Sequence, residues 1–408
     1  MITVDEFRER ARRWVKETGR DLVAQRPGSD PGSEEDAARR AQRFQQALAD
    51  AGLVGLTIPE RHGGQGLTDD HRQALDEELA AIGVPASGVF NIGVGMCVPT
   101  ILEHGTEAQR ERYLPPLLQG RELWCQLFSE PGAGSDLAGV QTRAVREGDG
   151  WLLNGQKVWT SGAHFADLGM AVARTDPTVP KHRGISVFLV DMRLPGVTTR
   201  PIRQINGDAD FNEVFLDDVH IPDDALLGEL GGGWAVVRTM LMNERVSIGA
   251  ADSGPQPGVG DIADFVAAAR ARGRATDGAI RQRVAELYVR QLVHRSIGWR
   301  VRRALDAGDE PGPEGSVSKL SDALLADLAA DVSMEVAGPA GVAWSSMDPM
   351  QDRWARNVLV APAAAIAGGT DQVQRNIIGE RVLGLPREPA ADRDLPFNEL
   401  RIGTQADD

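Results

Sequence analysis

The chain has 408 residues, of which 42% are hydrophobic and 25% charged, a balance typical of a globular protein with two or three domains. Its formal charge of −15 argues against a nucleic-acid partner, because phosphate backbones are bound by clustered positive charge. Cys97 and Cys125 are the only cysteines, so the sequence predicts neither a disulfide framework nor a metal site. The basic residues are nearly all arginine, with lysine only at positions 16, 157, 181 and 319, a bias that we attribute to genome composition.

No run of about 18 apolar residues occurs, so we expect no membrane span. The N-terminal segment mixes apolar residues with arginine and glutamate, which predicts an amphipathic helix and not a signal peptide. We therefore expect a cytoplasmic protein.

Helical spacing dominates residues 1–120, where apolar residues recur three and four positions apart. Leu75, Leu79 and Ile82 show this spacing, and Gly105 separates two further helical runs. We predict an N-terminal helical domain over residues 1–120.

The period of the pattern changes to two between residues 121 and 228. Short β-rich runs such as 169–173 and 185–190 are separated by turn signals such as Asn154-Gly155 and Pro195-Gly196. The pattern predicts a middle antiparallel β domain over residues 121–228.

Residues 229–408 return to long helical patterns and are predicted to form a C-terminal helical domain. The predicted fold class is therefore α+β, mostly α, in the order helices, sheet, helices. This order differs from the alternating βα pattern of dinucleotide-binding folds, and no GxGxxG follows a strand. A nucleotide cofactor would need another kind of site.

A Gly-rich turn follows the first β-rich run, with the sequence FSEPGAGSD over residues 128–136. Glycines let a backbone approach a ligand closely, and its amide groups can then face negative or carbonyl-rich atoms. Ser129 and Ser135 add hydroxyl groups. A solvent loop between a strand and a turn explains the same composition equally well.

A second segment, GQKVWTSG over residues 155–162, places Trp159 beside Thr160 and Ser161 at a predicted strand end. An indole there can stack on a planar ring while neighbouring hydroxyls bond its edge. Taken alone, such a tryptophan is more often part of the core.

The helix after the glycines at 231–233 has an apolar stripe of Val237, Leu241, position 244 and Ile248. Position 244 is Glu. Burial disfavours the charge of a carboxylate and raises its pKa, which suits a general base near neutral pH. The alternative is a surface ion pair between Glu244 and Arg245, which stabilises a protein little.

Two glycines and a threonine open a further amphipathic helix, with the sequence AGGTDQVQRN over residues 367–376. A helix N-terminus of this kind can hold an anion or a carbonyl group. Thr370 as a simple N-cap explains the pattern without any ligand.

In this order and spacing the segments resemble the acyl-CoA dehydrogenase family over nearly the whole chain. The turn at residues 128–136 matches the family's Glu-Pro-x-Ala-Gly-Ser-Asp signature. Further segments that recur in family order are the loop 59–66, Gly105 to Pro115, the runs 188–191, 195–197 and 211–218, and Gly228 to Trp234.

The resemblance implies a C-terminal four-helix bundle, with FAD and a CoA thioester bound among the three domains. By position, the residues expected to line the flavin ring are Gln126, Phe128, Ser129, Gly134, Ser135, Trp159, Thr160 and Ser161. Thr370 and Gln372 are expected to reach FAD, in this family often from the neighbouring subunit. We assign Ser135 and Arg245 to the acyl-CoA substrate.

The chain departs from the common family pattern at the catalytic glutamate, whose usual position is Gly368 here. A branch that includes isovaleryl- and long-chain-type enzymes carries the base on the earlier helix, where Glu244 stands, and the resemblance is to this branch in its actinobacterial type. Glu244 is thus the expected base, and the Gly368 N–H is expected to donate to the thioester oxygen.

The second departure concerns the adenine end of FAD. The arginine that grips FAD across the subunit interface has no clear match near Arg270–Arg274, and the family's Gln-x-x-Gly-Gly becomes EVAGP at residues 335–339. This is the pattern expected when the partner subunit is not identical.

The implied function is α,β-dehydrogenation of an acyl-CoA to the enoyl-CoA, with electrons passed to an electron-transferring flavoprotein. The expected assembly is a homodimer, a homotetramer or an α2β2 heterotetramer. Two alternatives stay open: a subunit of a heteromeric dehydrogenase with an incomplete FAD site, and an acyl-CoA oxidase-type flavoenzyme on the same fold.

Overall fold

The computed structural model describes residues 2–24, 34–84, 88–249, 259–306, 312–345, 347–389 and 392–400. The chain forms two compact units. The first contains Met1–Asn243 and Pro389–Asp408, and the second contains Glu244–Glu388.

The N-terminal region of the first unit is helical, as predicted. Its helices are α1 Val4–Trp14, α2 Arg20–Ala24, α3 Glu34–Asp50, α4 Asp69–Ala80, α5 Gly88–Asn91, α6 Val98–His104 and α7 Glu107–Leu118. Capping boxes begin α1 at Thr3 and α7 at Thr106, where each hydroxyl accepts an N–H of the first turn. Gly105 separates α6 from α7, as its break in the helical spacing predicts.

The middle region forms one eight-stranded sheet in the order β6-β7-β3-β2-β4-β5-β8, with β1 paired to β4. The strands are β1 Trp124–Leu127, β2 Arg143–Glu147, β3 Gly150–Ser161, β4 Leu168–Arg174, β5 Ile185–Asp191, β6 Val197–Ile202, β7 Phe211–Pro222 and β8 Leu226–Leu227. The predicted antiparallel pairing holds except for β1 with β4 and a single β2–β4 pair, which are parallel.

Both faces of the central strands are buried, which explains why β4 and β5 read as continuous apolar runs. Met170 and Val172 of β4 pack into a core shared with the N-terminal helices. Ala171 and Ala173, pointing to the other face, pack with Phe188 in a second core. The sheet therefore lies between two apolar layers, and its β1 end leads directly into the 128–136 turn.

The C-terminal region is helical, as predicted. Its helices are α8 Gly233–Gly249, α9 Ile262–Ala271, α10 Gly278–Asp306, α11 Glu314–Ala337, α12 Pro339–Val342, α13 Pro349–Ala364 and α14 Asp371–Ile377. The core of the second unit includes Leu287, Val332 and the stacked rings of Phe265 and Trp354, whose centroids lie 5.5 Å apart. The domain limits at residues 120 and 228 remain predictions.

No helix among the described residues is long and apolar enough to cross a membrane. Across the same residues, no group of histidine, cysteine and acidic side chains is placed to hold a metal ion.

The turn at Gly196, directly before β6, gives a test of the sheet's packing. Gly196 has φ +89°, and an added Cβ would lie 2.1 Å from the Asp217 carbonyl oxygen. Gly207 has nearly the same φ, +91°, but open space around an added Cβ. We expect Gly207→Ala to cost about 1 kcal/mol from backbone strain, and Gly196→Ala about 3 kcal/mol because the strand must also move. Urea unfolding measures both; equal losses would show that Asp217 does not confine the turn.

Candidate active site

A buried lysine organises the turn at residues 128–136. Lys157 of β3 is fully buried, and its ammonium donates to the carbonyl oxygens of Phe128 at 3.0 Å and Val172 at 2.7 Å. It also lies 2.7 Å from Oε1 of Glu130. All three donor sites of the ammonium are therefore satisfied inside the protein.

Glu130 connects the turn to the chain that follows it. Its carboxylate accepts the backbone N–H groups of Gln141 at 2.6 Å and Thr142 at 2.9 Å. Its own N–H and carbonyl exchange hydrogen bonds with Ala133, both at 3.0 Å, which closes the tight turn. The Val158 N–H donates to the Ser129 carbonyl at 2.9 Å. The turn is thus held against β3 by side chain and backbone together.

The two charges of the pair respond to burial in opposite ways. Burial alone would raise the pKa of Glu130, but attraction to Lys157 and hydrogen bonds from Lys157, Thr142 and Gln141 hold that pKa below its usual value. Burial lowers the pKa of Lys157 to about 8, although Glu130 opposes the shift. The carboxylate is therefore ionised at neutral pH.

The predicted flavin residues of this turn differ in exposure. Gly134 and Ser135 are exposed, and Gln126 and Ser129 are half-buried. An added Cβ at Gly132 or Gly134 would meet nothing within 4 Å, so the outer face of the turn is open. Phe128 is 4% exposed, and its ring packs in the core. Its carbonyl oxygen accepts a hydrogen bond from Lys157.

The second predicted segment lies beside the turn at a β-bulge in β3. Trp159 has φ +60°, rare for a residue other than glycine, and its side chain is 60% exposed. Ser161 is half-buried, whereas Thr160 is 1% exposed and turns inward. The Thr160 hydroxyl has no hydrogen-bond partner among the described residues. Of the three, only Trp159 and Ser161 have side chains that are accessible to solvent.

In the second unit, a glutamine shapes the turn that contains Gly368. The Gln374 side-chain amide donates to the carbonyl oxygens of Gly368 at 2.8 Å and Gly369 at 3.3 Å. Both glycines have positive φ, +67° and +93°. The Gly368 N–H has no acceptor in the part of the chain that the structure describes. It is therefore available to donate to a ligand.

Thr370 is the N-cap of α14, and its hydroxyl accepts the Val373 N–H at 3.3 Å. This is the simple capping role that the sequence left open. Gln372, the other residue predicted to reach FAD from this segment, is exposed.

Glu244, the predicted base, is half-buried on α8, after the buried residues Val237 and Met240 and half-buried Leu241. Arg245 follows on the same helix, and its side chain falls outside the described residues. Lys319 of α11 is 2% exposed and lies 3.4 Å from Asp371, the first residue of α14.

Burial lowers the pKa of Lys319, while attraction to Asp371, Asp322 and Glu244 opposes the shift. A single buried ammonium thus interacts with both the predicted base and the helix that follows Gly368.

The predicted adenine-end positions are occupied by an internal ion-pair network. Arg283 lies 3.0 Å from the Glu335 carboxylate, and Arg274 donates to the Glu335 carbonyl and lies 3.3 Å from Asp277. An added Cβ at Gly338 would lie 3.2 Å from Arg274. Arg274 and Arg283 are therefore committed to acidic and carbonyl groups of their own chain.

Three family models match the chain in succession. They describe the N-terminal, middle and C-terminal domains of acyl-CoA dehydrogenase, over residues 3–121, 125–219 and 231–383. The chain belongs to the acyl-CoA dehydrogenase family. Its reaction class is therefore the dehydrogenation of acyl-CoA thioesters.

Two relatives from Mycobacterium tuberculosis agree with the actinobacterial type of the resemblance. Acyl-CoA dehydrogenase IpdE1 is 40% identical over 95% of this chain and 99% of its own length. Acyl-CoA dehydrogenase FadE34 is 41% identical over 90% of this chain, which spans only 49% of that protein's length. Among solved structures, the Tcur3481-Tcur3483 steroid ACAD is 27% identical, with a TM-score of 0.76 over 94% of this chain and 98% of that one.

The sequence interpretation missed the lysines that pair with carboxylates in or next to the candidate turns of each unit. Lys157, Lys181 and Lys319 each lie in an ion pair, with side-chain exposures of 0%, 14% and 2%. The sequence did contain an indication of these positions, because lysine is scarce in this arginine-rich chain. A compact ammonium with three rotatable donors suits the enclosed position of Lys157, where it contacts two carbonyl oxygens and a carboxylate.

Removing the Lys157 ammonium should leave the Glu130 carboxylate buried without a cation. We expect Lys157→Met to lower the free energy of unfolding by about 3–5 kcal/mol, and a further Glu130→Gln to recover part of the loss. Exposed Lys16→Met is the matched control and should change little. Denaturant unfolding measures all three.

The pH dependence of stability should change sign in Lys157→Met. In the natural chain the lowered pKa of Glu130 gives a contribution that is present above the ordinary carboxyl pKa and lost as pH falls. Without the cation, burial raises that pKa, so the variant loses stability as pH rises above about 4.3. Its deficit should be smaller near pH 4.5 than near pH 7; a deficit independent of pH would contradict the pairing.

Proposed function

We propose that the chain is an FAD-dependent acyl-CoA dehydrogenase that oxidises the Cα–Cβ bond of its substrate to the enoyl-CoA. The observation that carries this proposal is the open face of the 128–136 turn beside Trp159 and Ser161, on a chain of this family. FAD, when bound, supplies the acceptor for the β-hydrogen and its electron pair.

The residues present fit a flavin. Trp159 keeps an exposed indole in a backbone conformation that costs free energy, and such strain is commonly retained where a ligand uses it. Ser129, Ser135 and Ser161 offer hydroxyl groups around the same surface, and Gln126 offers an amide. We propose that these residues hold the flavin ring, with Gly134 allowing close approach and Thr160 and Phe128 contributing backbone atoms. Thr370 and Gln372 are proposed for the remainder of FAD.

We propose that Glu244 removes the α-proton of the thioester. Its place after an apolar helix stripe supplies partial desolvation, and the Lys319 ammonium interacts with it. The Gly368 N–H is the proposed donor to the thioester oxygen, where negative charge develops; a preorganised donor there contributes about 2.7–4 kcal/mol. Ser135 and Arg245 are proposed to bind the substrate.

We propose a polycyclic, steroid-derived acyl group as the substrate, because a solved steroid ACAD has a similar structure over 94% of the chain. An electron-transferring flavoprotein is the proposed electron acceptor. Oxygen uptake on addition of acyl-CoA, at a rate equal to enoyl-CoA formation, would instead identify an acyl-CoA oxidase.

A heteromeric assembly is the second candidate, supported by the ion pairs at the adenine-end positions. Arg274 and Arg283 are held by Glu335 and Asp277, so we propose that FAD binding is completed by a non-identical partner. Exposed apolar residues of α10 offer a surface for a second subunit; they are Tyr288, Val289, Leu292, Val293 and Trp299.

Glu244→Gln tests the base. We expect reduction of bound flavin by acyl-CoA to slow by about 10²- to 10⁴-fold, with flavin content unchanged, because glutamine cannot accept the proton. Glu229→Gln, the same change at an exposed position just before α8, should leave the rate unchanged. Anaerobic stopped-flow absorbance measures both. Undiminished bleaching in Glu244→Gln would show that another group is the base.

Flavin stoichiometry tests the assembly. The chain purified alone should be folded but bind less than one FAD per chain, and co-expression with its partner should raise flavin content and assembly mass together. Absorbance and light scattering measure these quantities. A yellow homo-oligomer with one FAD per chain would contradict the heteromeric candidate and leave the dehydrogenase proposal intact.

A further inference from the structure

The described C-terminal segment, residues 392–400, returns to the β domain within the first unit, and we call it the C-terminal strap. Pro396 forms a β-bridge with Pro180 in the connection between β4 and β5. The N–H groups of Phe397 and Asn398 donate to the carbonyls of Val179 and Pro177, both at 2.9 Å. The strap is thus bound to that connection by backbone hydrogen bonds on successive residues.

Lys181 links the strap to the 128–136 turn. Its ammonium lies 3.1 Å from the Asp392 carboxylate of the strap and 2.9 Å from that of Asp136, the last residue of the turn. The Lys181 side chain is 14% exposed, whereas those of Asp136 and Asp392 are 61% and 47% exposed, so solvent screens part of both contacts.

Arg174 forms a second link between the strap and the residues that follow the turn. Its guanidinium lies 3.8 Å from the ring centroid of Phe397, which is 9% exposed. The same guanidinium donates to the carbonyls of Ala138 at 2.5 Å and Val140 at 3.3 Å, directly after the turn. The ring of Phe397 therefore covers the cation that holds residues 138 and 140.

The two ends of the turn differ in their supports, although the Glu130 carboxylate also accepts the N–H groups of Gln141 and Thr142 just beyond the second end. Lys157 and Val158 hold residues 128–130 from β3, whereas Lys181 and Arg174 hold residues 136–140 with the strap packed against them. Ser135 adjoins the second end. Loss of the strap should loosen that end and leave the first end, with Trp159 beside it, in place.

We propose that the C-terminal strap is a positioning element for residues 136–140, through which it strengthens the binding of acyl-CoA at Ser135. The substrate part of this inference rests on the proposed function. Lys181 and Arg174 are positioning residues here, since they act through the turn and not on the reacting atoms.

The test compares Phe397→Ala and Asp392→Asn with Asp394→Asn, the same substitution at an exposed strap residue. Hydrogen exchange of the Gly139 and Val140 amides, bonded to the Asp136 and Leu137 carbonyls, reports on the loosened end without any ligand. We expect about fivefold faster exchange there in the two strap variants, and unchanged exchange at Val158. Phe397→Tyr should restore slow exchange, because its ring can still cover Arg174.

Steady-state kinetics of the holoenzyme gives the second readout. We expect KM for acyl-CoA to rise about three- to tenfold in Phe397→Ala and Asp392→Asn, with kcat within about twofold of the natural chain. Exchange at residues 139 and 140 that matches Asp394→Asn would overturn the inference, as would faster exchange with an unchanged KM. If Phe397→Ala does not fold, hydrogen exchange and KM of Asp392→Asn alone test the inference. An enzyme inactive on every acyl-CoA would refute the proposed function, while exchange would still test the strap.

Discussion

The Lys157 ammonium lies in a cage of two carbonyl oxygens and one carboxylate, without exposure to solvent. An isolated buried charge is costly, so this position is tolerable only while all three acceptors stay in place. The acceptors come from the end of β1, from the turn and from β4. One cation thereby fixes the geometry of a turn whose outer face is otherwise open. Ser129, Ser135 and Trp159 depend on that constraint for their placement.

In the second unit, too, a buried lysine pairs with a carboxylate next to a glycine-containing turn. Lys319 is enclosed on α11, where Asp371, Asp322 and Glu244 attract it, and Asp371 begins the helix that follows the Gly368 turn. The Gln374 amide then holds the carbonyls of that turn. In both units, a buried ammonium and backbone hydrogen bonds together position a glycine-containing turn. Rigid support of this kind lets short loops present groups to a ligand.

Much of the fold follows from periodicity in the sequence. The change from helical to alternating spacing near residue 121 correctly marks the sheet, and Gly105 correctly separates two helices. The parallel pairing of β1 with β4 could not be read from these patterns, because pairing direction depends on the path of the chain. The sequence also treats residues 229–408 as one helical domain, whereas residues 392–400 pack on the connection between β4 and β5 in the first unit. No local pattern in those residues predicts the contact, because its partners, among them Val179, Arg174 and Lys181, are about 200 residues away in the chain.

Part of the candidate site could likewise be predicted from the sequence. The sequence singled out the two segments that the structure brings together at Ser129 and Val158. It could not separate Thr160, which turns inward, from Trp159 and Ser161, because that difference arises at a β-bulge with positive φ at Trp159. The attribution of scarce lysine to genome composition explains the abundance of arginine. It does not explain why three of the four lysines lie in ion pairs, two of them with the ammonium buried.

The claim that the Lys157–Glu130 pair shapes a flavin-binding turn is tested most directly by FAD affinity in Lys157→Met. Isothermal titration of the apoprotein, in the assembly that binds FAD most fully and at a temperature where variant and natural chain are both folded, gives the dissociation constant, with Lys16→Met as control. The account predicts that FAD affinity falls by about tenfold or more in Lys157→Met, since an unpaired carboxylate displaces the turn. FAD affinity equal to that of the natural chain, in a variant that has lost stability, would contradict it.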